Sequence, residues 1–203
     1  MKKNKISKNW INKQRRDIYV RQSKVEGYRS RAVYKLQEID DKFKIFRNGI
    51  SIIDIGAAPG SWSQYLERNV KNAKILSIDI LEMEKIENTF QIKGDFTDTT
   101  CQEQIKRYFE AKVDIVLSDM AVNTTGNKNL DSIVTGELCM KAMNFAKKIL
   151  KINGQFISKI FMGSSFNELL ANARTNFKKI NIYKPLASRK NSKESFIVCK
   201  FLK

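Results

Sequence analysis

The segment that most constrains the fold is residues 52–66, IIDIGAAPGSWSQYL. The apolar, β-branched run over 50–55 predicts a buried central strand, and a helix is predicted over 61–69. Between them, Gly56 and Gly60 let the backbone of the GAAPG turn bend sharply and approach a ligand closely. A strand, a tight turn and a helix in this order predict a binding crevice at the carboxyl end of a parallel sheet.

Two aspartates that follow later strands indicate what this crevice binds. The phosphate-binding patterns GxxxxGK[ST] and GxGxxG are absent from the sequence. Asp79 ends an apolar run at the place where such folds hydrogen-bond ribose hydroxyls. Asp95, in KGDF after a short predicted strand, is placed to accept from an adenine amino group. Each aspartate alone is more often a cap or turn residue, but the series predicts an adenosine-like ligand without phosphates.

Composition predicts one globular domain and excludes several chemistries. The chain has 203 residues, 42% of them hydrophobic, which is enough for a sizeable core. No run approaches the roughly 18 apolar residues of a membrane helix, and no apolar stretch follows the lysine-rich start, so we expect a cytoplasmic protein without membrane binding. Because there is no histidine, acid–base chemistry falls to Lys, Asp, Glu or Tyr. Cys101, Cys139 and Cys199 are far apart, so we expect buried thiols, with neither disulfides nor a metal site.

The net charge of +17 lies in the two ends of the chain. Residues 1–31 carry 11 Lys or Arg and 2 acids, and residues 172–203 carry 9 and 1, whereas the segment between them carries 18 of each sign. This distribution predicts a neutral body that presents two basic segments to a nucleic acid. The alternative is that lysine-rich ends only raise solubility. The first segment interleaves side chains suited to base stacking and phosphate contacts, namely Trp10, Tyr19, Tyr28, Arg15, Arg16, Arg21, Arg29 and Arg31.

Apolar periodicity predicts an α/β fold with a mostly parallel sheet of seven strands. Strands are predicted near 50–55, 74–79, 89–92, 113–118, 154–160, 178–184 and 195–202, and helices at about 30–46, 61–69, 98–110, 131–151 and 163–176. The last two strands are joined only by residues 184–194. Because that segment is too short for a helical crossover, one strand should be antiparallel. We expect a basic arm over 1–24 and a single domain over 25–203.

Four polar side chains stand at strategic places in this predicted fold. Asp119 follows the fourth strand, and Lys159 interrupts the buried run FISKIF near the end of the fifth. A lysine there either reaches solvent or is held at a site, and the position at a strand's carboxyl end favours the site. Lys35 lies beside the apolar stripe of the first helix, where a surface pair with Glu38 is the alternative. Glu194 precedes the last strand and alone would be an ordinary turn acid.

Six motifs together resemble the FtsJ-like 2′-O-ribose methyltransferases. They are SRAVYKL (30–36), DIGAAPGSWSQYL (54–66), GDFTD (94–98), SDMAVNTTG (118–126), SKIF (158–161) and KPLASRKNSKESFIVC (184–199). The resemblance implies a Rossmann-like sheet, S-adenosylmethionine as methyl donor, and a catalytic set made of Lys35, Asp119, Lys159 and Glu194. The same match implies cofactor contacts from Gly60, Trp62, Asp79, Asp95 and Asp119, to which the turn adds Gly56.

The resemblance also implies a reaction and a substrate. We expect direct methyl transfer to a ribose 2′-hydroxyl, with Lys159 either taking the proton or orienting the oxygen. Because lysine is mostly charged at pH 7, the first role requires burial and a second ammonium, Lys35, nearby. The short length is most similar to bacterial members that methylate a uridine of large-subunit (23S) ribosomal RNA. We therefore expect a monomer that binds this RNA within the large subunit. The alternatives are transfer RNA or a messenger cap as substrate, or a non-catalytic RNA-binding assembly factor.

Overall fold

One sheet with helices on both faces forms the part of the chain that the structure describes. A computed structural model describes residues 17–120, 128–163, 165–189 and 192–203, with the backbone alone for 128–132. The strands are β1 (Ser51–Ile55), β2 (Lys74–Asp79), β3 (Thr89–Lys93), β4 (Val113–Ser118), β5 (Leu150–Phe161), β6 (Phe177–Tyr183) and β7 (Glu194–Leu202). The helices are α1 (Ile18–Val25), α2 (Val33–Phe43), α3 (Ser61–Asn69), α4 (Thr99–Phe109), α5 (Lys128–Ile149) and α6 (Phe166–Asn176).

The strand order is β3-β2-β1-β4-β5-β7-β6. Strands β1 to β5 pair in parallel, whereas β7 lies between β5 and β6 and is antiparallel to both. The predicted seven-stranded, mostly parallel sheet with one antiparallel strand is confirmed. The order reverses direction between β1 and β4. In open α/β sheets, ligands bind outside the carboxyl ends of the strands at such a reversal.

The apolar strands are buried because helices cover both faces of the sheet. On one face, Leu36 of α2 and Leu66 of α3 pack in the same cluster as Ile52. On the other face, Ile105 of α4 packs in the cluster of Ile53. Side chains at successive positions of a strand point to opposite faces, so β1 contributes to both cores. Each fully buried Leu or Ile stabilises the fold by roughly 1.5–3 kcal/mol.

Several element boundaries differ from those predicted by three or four residues, and two of the differences have a visible cause. Strand β5 begins at Leu150, directly after α5, because the pairing with β4 shifts register between Val113 and Ile115. Lys151, Ile152 and Asn153 in this irregular stretch are all exposed, so the residues show no alternation of buried and exposed side chains that would reveal a strand. Helix α2 ends at Phe43 rather than near 46, because Lys44 adopts a left-handed backbone conformation with φ of 49°.

The end of the predicted basic arm forms helix α1 and packs on the domain. The Asp17 carboxylate accepts from the Tyr19 N–H at 3.1 Å and caps the helix. The Tyr19 ring lies 5.4 Å from the ring of Tyr34 on α2. Residues 1–16 lie outside the described part of the chain, so the division between arm and domain at residue 24 stays a prediction.

The three cysteines are buried and unpaired, as the sequence predicts. Burial raises the pKa of the Cys139 thiol to about 12, so this sulfur behaves as a small apolar group. Within the described residues, no helix has the length and apolar content needed to cross a membrane.

Phe156 provides a test of the core. It has no exposed surface, and its ring lies 6.5 Å from that of Phe177. Phe156→Ala is expected to lower the free energy of unfolding by about 3–5 kcal/mol, because it removes buried apolar contacts and leaves a cavity. Urea denaturation measures the loss. The control is Phe90→Ala on edge strand β3, where the ring is 43% exposed. Equal losses in the two variants would contradict this packing.

Candidate active site

The turn after β1 is held tightly against the neighbouring strand. The Gly56 N–H donates to the Ile78 carbonyl oxygen at 2.8 Å, and the Ala58 N–H donates to Asp79 Oδ2 at 2.9 Å. Gly56 has φ of +72°, and a Cβ there would lie 2.2 Å from Met120 Cγ. Position 56 therefore requires glycine both for its backbone conformation and for the close approach of Met120.

A cavity of about 560 Å³ opens at the carboxyl ends of β1, β2 and β4. Its walls carry three carboxylates, Asp79, Asp95 and Asp119, and include Gly56. Apolar side chains that sequence reasoning missed complete the walls, among them Ile55, Ile80, Phe96, Met120 and Leu138. A signal for three of them exists, because Ile80, Phe96 and Met120 each directly follow one of the acids. Such a volume, mostly apolar with a few polar groups, suits a nucleoside-sized ligand.

Asp79 and Asp95 each make turn hydrogen bonds and also line the cavity. Asp79 Oδ1 accepts from the Leu81 N–H at 2.8 Å. Asp95 Oδ1 accepts from both the N–H and the hydroxyl of Thr97, each at 2.8 Å. A carboxylate has about four acceptor sites, so these bonds orient each side chain and leave capacity for a ligand. The local turn role and the ligand role are therefore compatible.

Gly60 and Trp62 are not found among the described residues that line the cavity. The Trp62 side chain is buried, its indole N–H donates to the Ala32 carbonyl oxygen at 2.8 Å, and its ring lies 5.9 Å from that of Phe196. A Cβ at Gly60 would lie 2.7 Å from Arg29 Nη1. Both residues support the turn through protein contacts here, and their predicted contact with the cofactor stays a prediction.

A buried carboxyl group, Asp54, lies on β1 just before the turn. Its Oδ2 accepts from the Ser63 hydroxyl at 2.6 Å, and its Oδ1 has no hydrogen-bond partner among the described residues. Burial raises the pKa of Asp54 to about 7, the bond from Ser63 opposes the rise, and the negative charges of Asp119 and Asp79 add to it. Asp54 is therefore a buried carboxyl group close enough to Asp119 and Asp79 to feel their charges.

The four predicted catalytic side chains lie together beside the cavity. Lys159 Nζ donates to Asp119 Oδ1 at 2.9 Å and to the Asp119 carbonyl oxygen at 2.6 Å. Lys35 Nζ lies 3.7 Å from Asp119 Oδ2 and donates to Glu194 Oε2 at 2.9 Å. Asp119 thus stands between two ammonium groups and also lines the cavity. The alternative surface pair of Lys35 with Glu38 is not formed, because Lys35 contacts these two acids instead.

Opposite charges compensate each other inside this cluster. Burial opposes the charged form of Lys35, but Asp119 and Glu194 outweigh it and raise the pKa of that ammonium above its usual value. Burial likewise opposes ionisation of Asp119, but Lys159 and Lys35 outweigh it and lower the pKa of the carboxyl group. Two cations and two anions sum to zero, which is how buried charges are tolerated. The ammonium groups can hold a substrate hydroxyl at the edge of the cavity.

The strand order, the glycine turn and the acidic cavity define a class, the Rossmann-like methyltransferases. The chain belongs to the FtsJ-like methyltransferase family, which matches residues 28–202. The family consists of S-adenosylmethionine-dependent methyltransferases, so the cavity is tested for its fit to this cofactor. The residues present fit it, because three carboxylates suit a positively charged nucleoside and repel phosphates. No three His, Cys, Asp or Glu side chains gather as a metal site within the described ranges.

Named relatives cover the whole chain. A protein of Pelagibacter ubique named ribosomal RNA large subunit methyltransferase E is 66% identical over all 203 residues, which cover 100% of both chains. A protein of the same name from Rickettsia akari is 46% identical over 95% of this chain and 87% of its own length.

Solved structures support the fold. A structure described as a ribosomal RNA methyltransferase from Plasmodium falciparum matches with a TM-score of 0.78 and 36% identity, covering 86% of this chain and 98% of that one. A Streptococcus mutans methyltransferase in complex with SAH has a TM-score of 0.53 and 14% identity, covering 82% and 97% of the two chains, and supports the fold alone.

Gly56 offers a test of the cavity. Gly56→Ala is expected to weaken S-adenosylmethionine binding at least about tenfold, because the new methyl group displaces Met120 from the cavity wall. Isothermal titration calorimetry measures the affinity. Gly49→Ala is the matched control, since Gly49 also has positive φ, +74°, but nothing lies within 4 Å of its Cβ position. If both variants bind the cofactor equally well, the contact with Met120 does not shape the site.

Proposed function

We propose that the protein transfers the methyl group of S-adenosylmethionine to the 2′-hydroxyl of a uridine ribose in large-subunit ribosomal RNA. The observation that carries the reaction is Asp119, which lines the cofactor cavity and pairs with Lys35 and Lys159. The names of the relatives support the RNA class. We further propose that the protein acts as a cytoplasmic monomer and that its substrate is the RNA within the large subunit.

Lys159 is assigned to the substrate hydroxyl. When bound, the cofactor supplies a methyl group on a sulfonium, which is already a strong electrophile. An ammonium group has three N–H donors, and Asp119 accepts from Lys159 Nζ through two oxygens. One donor is then available to hold the 2′-oxygen in line for attack. Because Asp119 fixes the Lys159 ammonium group through two hydrogen bonds, we propose that Lys159 orients the oxygen and that the hydroxyl proton passes to solvent water late, as the methyl–oxygen bond forms. Positioning then supplies most of the acceleration.

Lys35 and Glu194 are assigned to holding the ribose and balancing charge. The two oxygens of Glu194 accept from Lys35 at 2.9 Å and from Ser188 at 2.7 Å. A carboxylate held in this way keeps Lys35 charged and fixed beside Asp119. Lys35 can therefore hydrogen-bond a sugar hydroxyl without losing its own proton at neutral pH.

A turnover assay tests the proposed reaction. Labelled S-adenosylmethionine is incubated with large ribosomal subunits that lack 2′-O-methylation, and the modified nucleotide is located by its resistance to alkaline cleavage. We expect label in one uridine of the large-subunit RNA. Label in transfer RNA alone would move the substrate to the first alternative. Binding of subunits without transfer to any RNA would favour an assembly factor and contradict the enzyme.

Lys159 provides the sharpest test within the cluster. Lys159→Met is expected to lower kcat at least about 100-fold and to leave cofactor affinity nearly unchanged, because the side chain is assigned to the hydroxyl. The matched control is Lys151→Met at the opposite end of β5, where the ammonium pairs with Asp114 at 2.8 Å. Its activity should equal that of the wild type. A large loss of cofactor binding in Lys159→Met would mean that this lysine is structural.

Four of the side chains that the sequence suggests for RNA contact are engaged with other parts of the protein. Arg29 donates to the carbonyl oxygens of Pro59 and Glu84 at 3.0 and 2.9 Å, and Arg31 pairs with Asp17. Tyr19 and Tyr28 both pack against Tyr34, and Tyr28 also contacts Arg68. These four side chains therefore already contact protein groups, and their binding of RNA stays a prediction. Arg21 is exposed, whereas Trp10, Arg15 and Arg16 lie outside the described residues.

The arm is tested by removing its charge. Changing Arg15, Arg16 and Arg21 together to Ala is expected to weaken RNA binding and to flatten the slope of log K against log salt by about 2, since each phosphate contact contributes about 0.7–0.9. Filter binding at several salt concentrations measures both. The control changes Lys106, Arg107 and Lys112, which are exposed on and just after α4. An arm variant with an unchanged slope would show that the arm only aids solubility.

A further inference from the structure

Side chains along one side of α2 form hydrogen bonds with the loop between β6 and β7 and with the first residue of β7. Arg31 lies just before α2, and Lys35 and Glu38 lie four and seven residues further on. This spacing places the three side chains on the same side of a helix. All three contact residues of the segment 186–194. The helix that carries one catalytic residue therefore holds the loop that leads to another.

Arg31 and Glu38 fix the backbone around Ala187. Glu38 Oε2 accepts from the Leu186 N–H at 2.6 Å, and Glu38 Oε1 accepts from the Ala187 N–H at 2.7 Å. The Arg31 guanidinium donates to the Ala187 carbonyl oxygen. Ala187 has no exposed surface. Both backbone polar groups of Ala187 are thus bound by side chains, one just before α2 and one in its middle.

We call the hydrogen bonds from Arg31 and Glu38 to the backbone of 186–187 the clamp. Ser188 connects the clamp to the catalytic cluster. Its hydroxyl donates to Glu194 Oε1 at 2.7 Å, while Lys35 donates to Glu194 Oε2 at 2.9 Å. Ser188 is 5% exposed, so water does not readily replace its hydroxyl. With a separate donor on each oxygen, the carboxylate of Glu194 has one favourable rotation. Without Ser188, that carboxylate could turn away from Lys35.

We propose that Ser188 is a positioning residue, which acts on the reaction by orienting Glu194 against Lys35, and that Glu38 and Arg31 hold Ser188 in place. The kinetic consequence of this inference rests on the proposed methyl transfer. Its structural consequence rests on the hydrogen bonds alone. The inference gives a role to the hydrogen bonds that Arg31 and Glu38 make with the backbone just before Ser188. A hydroxyl with a merely structural role would stabilise the loop without acting through Glu194.

The kinetic test separates these two roles. Ser188→Ala is expected to lower kcat about tenfold, the effect of one lost hydrogen bond, with KM for RNA and cofactor affinity unchanged. Ser188→Thr keeps the hydroxyl and should retain most of the activity. The matched control is Ser23→Ala, because Ser23 is also buried and donates only to a carbonyl oxygen of its own helix, that of Val20, at 3.0 Å. Ser23→Ala should retain the kcat of the wild type, and its Tm should be similar to that of Ser188→Ala.

A double-mutant cycle shows whether Ser188 acts through Glu194. In a Glu194→Ala background, Ser188→Ala should change the single-turnover rate less than about twofold, because the group it orients is gone. A full tenfold loss in that background would overturn the proposal. Unchanged kcat in Ser188→Ala alone would overturn it as well.

A second readout does not require activity. In ¹⁵N NMR titrations of the lysine ammonium groups, Ser188→Ala should lower the pKa of Lys35 toward its usual value, because Glu194 no longer stays beside it. Glu38→Gln removes one acceptor from the clamp and should shift the pKa of Lys35 the same way, which keeps the test available if Ser188→Ala does not fold. An unchanged Lys35 titration would contradict the positioning role. If wild-type protein methylates no RNA, the proposed function fails, and these titrations still decide the inference.

Discussion

The carboxylate of Asp119 is the group on which the arrangement of the site depends. It lines the cofactor cavity, and its two oxygens face two ammonium groups. A buried carboxylate without partners would destabilise the fold by several kcal/mol. The two lysines therefore stabilise the charge of Asp119, and Asp119 stabilises theirs. Lys35 belongs to α2, Lys159 belongs to β5, and Asp119 directly follows β4. The ion pairs of Asp119 therefore fix the positions of this helix and these two strands relative to one another. In the proposed reaction, the same interaction would bring the cofactor and the substrate hydroxyl together.

The antiparallel last strand has a specific consequence for this cluster. Strands β1, β4 and β5 are parallel and bring their carboxyl ends to one edge of the sheet. Strand β7 runs the other way, so its first residue, Glu194, pairs with Phe161 at the end of β5. A parallel strand in that position would begin at the opposite edge, a strand length away from Lys159. The hairpin of β6 and β7 therefore completes the site as well as the sheet.

The sequence predicts the features that leave a local pattern. Strand ends, the glycine turn and the acids that follow the strands could be placed because apolar runs are periodic and parallel strands end at one edge. The hydrogen-bond acceptors of Arg29 and Arg31 could not be predicted, because charge alone does not reveal partners distant in sequence. Their acceptors include backbone carbonyl oxygens, which every residue carries. The same holds for Trp62, whose indole N–H bonds Ala32. Interactions of side chains with distant backbone groups are thus what sequence patterns miss.

The distribution of charge acquires a spatial meaning in the folded chain. The two basic ends of the sequence are far apart along the chain, yet Asp17 pairs with Arg31 and lies 4.0 Å from Arg189, in the loop before Glu194. Asp17, near the end of the first basic segment, therefore lies beside a residue of the second. Because the catalytic cluster and the segment between the two ends are neutral, the excess positive charge that would attract the proposed RNA substrate belongs to these two ends. Such a distribution would attract a polyanion without adding net charge to the reacting groups themselves.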